Sequence, residues 1–96
     1  MDVTGKVAFV TGGGRGIGQG IALALARNGA DVVLGDIVLD NAQAVAGEVS
    51  AMGRQSMAVA LDVTDQGSVD AMVGEVIGRF SRIDILVNNA GIIASA

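Results

Sequence analysis

The 96-residue chain contains no cysteine, histidine, tyrosine, tryptophan or proline, and Lys6 is its only lysine. Without cysteine there is no disulfide framework, and without cysteine or histidine a zinc or haem site is strongly disfavoured, leaving carboxylate-only metal sites. We expect no metal. The usual proton shuttles and covalent nucleophiles are missing too, so serine, threonine and carboxylates are all that remains for chemistry. Two phenylalanines are the only aromatics and the net charge is -4, which argues against a phosphate-tracking surface with stacking platforms and therefore against nucleic acid. Long apolar runs are also missing. The longest, Ile21 to Ala26, is six residues, far short of the roughly 18 that a membrane span needs. No membrane partner is expected. Met1-Asp2 opens acidic and leads almost directly into an apolar run, unlike the basic and then apolar start of a secretory signal, so the cytoplasm is the expected compartment.

What the chain has in quantity is glycine, and five of its glycines fall between Gly12 and Gly18, directly after a short apolar run. The apolar period switches along the chain. Lys6 to Val10 reads as a buried strand, Ile17 to Arg27 as a helix and Asp31 to Gly35 as a second strand. Asn28-Gly29 supplies residue types that end a helix. Asp40 followed by Gln43 resembles a capping box, opening a helix that Gly53 would close. A third strand is expected at Gln55 to Leu61. Thr64-Asp65 offers an N-cap for a helix running to Phe80, and Ile83 to Val87 reads as the fourth strand.

Alternating short strands and helices imply an α/β fold, a parallel sheet covered on both faces, and right-handed crossovers favour the order 3-2-1-4. That is a partial doubly wound, Rossmann-type sheet in one domain. In this order the chain reverses direction beside strand 1, making a crevice at the carboxyl ends of the strands. The glycine run and "NNAG", Asn88 to Gly91, both fall there.

A loop joining a buried strand to a helix start offers unpaired amides and the positive end of the helix dipole, which suit a phosphate or diphosphate. The strict G-x-G-x-x-G spacing fails, because Ile17 stands three beyond Gly14. The frame that fits is T-G-x-x-x-G-x-G, through Thr11, Gly12, Gly16 and Gly18. No lysine completes G-x-x-x-x-G-K-S/T, so a kinase-like or GTPase-like phosphate loop is disfavoured. Asp36, 18 residues beyond Gly18, closes the second strand near the spacing at which an acid takes the ribose hydroxyls of NAD. A 2'-phosphate would meet its carboxylate, so NAD is expected over NADP.

"TGGGRGIG", "LDVTD" at Leu61 to Asp65 and "NNAG", in this order, resemble the cofactor loop, the adenine-side segment and the fourth-strand signature of the classical short-chain dehydrogenases/reductases. The resemblance covers the whole chain but only about the first two fifths of a family domain. It implies that Gly12, Gly16 and Gly18 line the pyrophosphate of a dinucleotide, with backbone near Ile17, and that Thr11 steadies the loop against the segment around Asn89. It implies that Asp62 receives the adenine amino group with the Val63 amide on the ring, and that Asn88, Ala90 and Gly91 lie beside the nicotinamide ribose. Taken alone, Asp62 could instead cap the helix near Asp65, and Asn88-Asn89 could be turn chemistry. Arg15 has two readings: a pyrophosphate-facing or solvated charge, or the basic residue that NADP-preferring relatives place there.

Family chemistry moves a hydride between nicotinamide and an alcohol or carbonyl carbon, using a tyrosine with a lysine four positions on. This chain has no tyrosine, so no catalytic residue is assigned to it. It reads as the cofactor-binding front of an oxidoreductase, with the small alcohol or carbonyl substrate handled only in a longer form. A stand-alone NAD-binding or sensing module is the alternative. The raw outer edge of the fourth strand predicts self-association.

Overall fold

The computed structural model describes residues 1–89, so Ala90 and Gly91 lie outside the described residues. Four strands and three helices alternate: β1 (Val7–Thr11), α1 (Gly16–Arg27), β2 (Asp31–Asp36), α2 (Leu39–Ala51), β3 (Ser56–Ala60), α3 (Gln66–Phe80) and β4 (Ile85–Asn88). The sheet is parallel with the order β3-β2-β1-β4, as the alternation predicts. The order follows from two outward steps and one return. β1 pairs with β2 through Val7↔Asp31 to Thr11↔Gly35, and with β4 through Ala8↔Ile85 to Thr11↔Asn88. Thr11 therefore stands between the ends of both neighbours.

A central parallel strand is buried on both faces, which is why β1 reads as a continuous apolar run. Ala8 and Val10 join Val32, Leu34 and the apolar sides of α1 and α2 in one core. Val7 and Phe9 join Val33, Val59, Met72 and Val76 in the other, beneath α3. With its two cores back to back, the sheet holds the carboxyl end of β1 rigidly where the glycine run begins.

Helix ends explain most boundary differences. Asp65 caps α3 as expected, its Oδ1 accepting from the Gly67 and Ser68 amides. The capping box at Asp40 does not form. α2 starts two residues earlier, at Leu39, with Val38 as a cap lacking any side-chain bond, and Asp40 sits in the first turn. The Val38 amide is held instead by Asp36 Oδ1 at 2.9 Å, so the chain turns into the helix before Asp40 could cap it. α3 closes on Ser81, a left-handed residue at φ 69°, where no glycine or asparagine signals the turn.

At the opposite end of the sheet, Asp84 clips β4 to β1. Its Oδ2 accepts from the Val7 amide at 2.8 Å and lies 2.9 Å from Arg82 Nε, while Arg82 Nη2 donates to the Gly5 carbonyl. The Val7 amide, helped by Arg82 and Lys6, holds the Asp84 carboxyl below its ordinary value of 3.8. A depressed carboxyl contributes stability that is fully present above the unfolded value and lost as the pH falls through the folded one. Asp84→Asn should thus lower the melting temperature at neutral pH and make it less dependent on acidification below about pH 4. Parallel acid melts of the two proteins check this. Identical curves would show that the clip contributes nothing.

Candidate functional site

At the carboxyl ends of the strands, the chain reversal beside β1 leaves a cleft of about 330 Å³. Its walls come from three strand ends and the connections that follow them: Gly12 and Arg15 after β1, Gly35 and Asp36 at the end of β2 with Ile37 after it, and Leu61 to Thr64 after β3. Asn89, following β4, closes it. The strand ends position every one of these residues.

The glycine run follows a path that side chains would block. Gly12 and Gly16 have φ of 64° and 61°, a region costly for other residues. Between them the Gly13 amide extends the β1–β2 ladder by donating to the Gly35 carbonyl at 3.2 Å. Gly18 is buried in the first turn of α1, against the loop itself. A Cβ built there would lie 2.1 Å from the Gly12 carbonyl oxygen and 2.9 Å from Asn89 Nδ2. Arg15 makes no side-chain cap on α1, and no acid occupies the first turn. The start of α1 thus has neither a side-chain cap nor an acid on its positive dipole end, whereas α3 is capped by Asp65 and α2 carries Asp40 in its first turn.

Three polar contacts tie β4 and the residue after it to the end of β1 and the loop. The Thr11 hydroxyl lies 3.2 Å from both the Val87 carbonyl and Asn88 Oδ1, and Asn89 Nδ2 donates to the Gly12 carbonyl at 3.3 Å. These place Thr11 at a loop anchor. They also put Asn89, rather than Asn88, in the cleft. Asn88 and Thr11 line a neighbouring apolar groove together with Phe9, Leu61 and Val69.

Asp36 is 8% exposed at the end of β2. Oδ2 accepts from the Gly14 amide at 3.1 Å and Oδ1 from the Val38 amide. Across the cleft, Asp62 Oδ1 accepts from both the amide and the hydroxyl of Thr64, and these bonds, hydroxyl first, lower its pKa. Asp62 is thus a charged acceptor fixed at the rim. It does not cap α3. Its own amide donates to Ser68 Oγ at 3.1 Å, so the start of α3 positions the segment.

The expected site residues thus fall into groups. Gly12, Arg15, Asp36, Asp62 and Val63 share the cleft. Gly16 and Gly18 do not line it: Gly16 is exposed at the start of α1, and Gly18 is buried against the Gly12 carbonyl and Asn89. Ile17 is 76% exposed and does not line the cleft. Asn89, Ile37 and Thr64 also line the cleft, and the motifs do not single them out as ligand contacts. The available signals are the second asparagine of "NNAG" and an exposed apolar residue directly after the strand-ending acid. Among the described residues no cluster of acids could hold a metal, and no helix is long and apolar enough to cross a membrane.

Comparison with known proteins agrees with this geometry. The short chain dehydrogenase family profile matches residues 6–96. Sorbitol dehydrogenase from Cereibacter sphaeroides is 49% identical over 92 residues, which are 96% of this chain and 35% of that protein. A 7α-hydroxysteroid dehydrogenase, solved with NADH and 7-oxo glycochenodeoxycholic acid, superposes with a TM-score of 0.87 at 39% identity, over 91% of this chain and 34% of its own. Carveol dehydrogenase from Mycobacterium avium, in complex with NAD, gives a TM-score of 0.87 at 32% identity, over 93% and 36%. The chain spans about a third of the length of the relatives it matches.

Proposed function

This chain belongs to the short-chain dehydrogenase family, and on that premise we propose that it is the dinucleotide-binding front of an NAD-dependent oxidoreductase. The enzyme's reaction is hydride transfer between nicotinamide and an alcohol or carbonyl carbon. The observation that carries the reading is the side-chain-free approach to α1, where a Cβ at Gly18 would strike the Gly12 carbonyl while the first-turn amides lack any cap. Such a cradle suits a phosphate or diphosphate.

When bound, the dinucleotide supplies the hydride-carrying nicotinamide. This chain's residues bind and orient it. Gly12, Gly16 and Gly18 leave room for the pyrophosphate, and Arg15 at the cleft adds a cation. Asp36 accepts from the adenosine ribose hydroxyls. Asp62, its Oδ1 already held by Thr64, turns its remaining oxygen to the adenine amino group, with the Val63 amide near the ring. Asn88 lies toward the nicotinamide ribose, the side to which the family resemblance also assigns Ala90 and Gly91, outside the described residues. Asp36 favours NAD over NADP, since a 2'-phosphate would bring like charge to a nearly buried carboxylate.

The chain has no tyrosine and spans about a third of its relatives' length, so proton transfer and the substrate pocket are assigned to parts of the family domain that these residues do not cover. The edge of β4, where Leu86 is 66% exposed, together with the apolar groove beside α3, favours self-association of the chain on its own. Calorimetry should find one NAD site, and assays of the chain alone with NAD and an alcohol panel should find no turnover. Absence of NAD binding overturns the binding role, and turnover overturns the division of labour.

A further inference from the structure

Asp36 is the ribose acceptor of the proposed site, yet before any ligand arrives both of its carboxylate oxygens already hold backbone amides. We propose that Asp36 is also a positioning residue, one that pins the glycine loop to the entrance of α2 and so sets the phosphate-binding shape in advance.

Three observations carry this. The two amides belong to different connections, Gly14 in the loop after β1 and Val38 at the cap of α2, so a single carboxylate staples two otherwise independent turns. Gly14 is buried against that acid and that helix. A Cβ there would lie 2.6 Å from Asp36 Oδ2, 2.6 Å from Asn41 Cβ and 2.9 Å from the Ala42 amide nitrogen, so the approach depends on glycine. Finally, Gly13 beside it is bonded to the Gly35 carbonyl. The loop is therefore tied to the end of β2 at two successive residues, first by the sheet ladder and then by the acid.

The pin and the ribose contact are compatible, because an ionised carboxylate has about four acceptor positions and the amides use two. Ribose hydroxyls can take the others. The same charge then fixes the loop and reads the sugar, which ties the adenosine end of the site to its diphosphate end. The positioning role rests on the proposed function only for its consequence in binding. The pin itself is measurable without ligand.

Amide hydrogen exchange on the ligand-free chain tests it, with Gly13 as the internal reference. In Asp36→Ala the Gly14 and Val38 amides should exchange about tenfold to a hundredfold faster, as expected for loss of a hydrogen bond to a charged group, while Gly13 keeps its rate. The Gly14 amide proton should also lose its low-field shift. In Asp36→Asn the carboxamide has one accepting oxygen, so one of the two amides should stay protected and the other open. Unchanged Gly14 exchange in Asp36→Ala, or loosening of Gly13 to the same extent, overturns the proposal. If Asp36→Ala does not fold, retention of both amides in Asp36→Asn overturns it alone. Titration of the same variants with NAD separates the pin from the ribose contact. Released amides with weakened NAD binding are the expected result; released amides with unchanged NAD affinity overturn both the ribose role and the claim that the pin sets the phosphate-binding shape, whereas weakened NAD binding with unchanged amide exchange overturns the pin and leaves the ribose role standing.

Discussion

Gly18→Ala should lower NAD affinity by at least about a hundredfold and cost about 1–3 kcal/mol of stability, the range for overpacking a tight site. Helix propensity alone predicts the opposite sign, because alanine is favoured over glycine inside a helix by about 1 kcal/mol. Sterics decide the outcome. The new Cβ would lie 2.1 Å from the Gly12 carbonyl oxygen and 2.8 Å from its carbon, so backbone must move, and that carbonyl is the one Asn89 holds. Displacing it shifts the loop from both ends. Gly20 is the control two residues on, exposed and with nothing within 4 Å of an added methyl. Gly20→Ala should therefore stabilise the chain by up to about 1 kcal/mol and leave NAD affinity unchanged. Thermal melts and calorimetry on the pair separate local crowding from helix propensity. Equal behaviour of the two variants would remove the packing argument for Gly18.

Asp36→Arg should reverse the cofactor preference. A phosphate about 5 Å from a carboxylate, at an effective dielectric near 20, meets a repulsion of about 3 kcal/mol per unit charge. That corresponds to about a hundredfold in affinity. Replacing the acid by a cation removes the repulsion and adds attraction, and Arg15 already lines the same cleft. NAD should bind more weakly for a separate reason, the loss of the ribose acceptor. The ratio of NADP to NAD affinity should accordingly rise by well over a hundredfold. Competitive titration with the two dinucleotides measures it, and an unchanged ratio would show that Asp36 does not face the 2' position.

Much of this is legible in the chain because each signal is local. A buried run that ends in threonine and glycine, followed by a helix without an acidic first turn, announces an anion loop from residue types alone. The acid closing β2 stands out for the same reason. Other features depend on what the fold brings together. Asp40 and Gln43 have the spacing of a capping box, but Asp36, four residues before Asp40, takes the Val38 amide and starts the turn early. The double use of Asp36 requires Gly14 to fold back from 22 positions away, which no spacing rule encodes. Asn89 is overshadowed by its neighbour, since β4 ends at Asn88 and only the fold shows that the residue just beyond the strand reaches the Gly12 carbonyl and the cleft. Ser81 adopts a left-handed turn that sequence would assign to glycine, and the Arg82–Asp84 pair beside it shows the turn feeding directly into the β1–β4 clip.

The central claim is that loop amides freed at the start of α1 hold a diphosphate while Asp36 holds the adjoining sugar. A crystal structure of the chain grown with NAD tests it most directly. The account predicts diphosphate oxygens within about 3 Å of loop amides between Gly12 and Gly18, with the adenosine ribose hydroxyls on Asp36. Dinucleotide bound elsewhere, with that loop vacant, would contradict it.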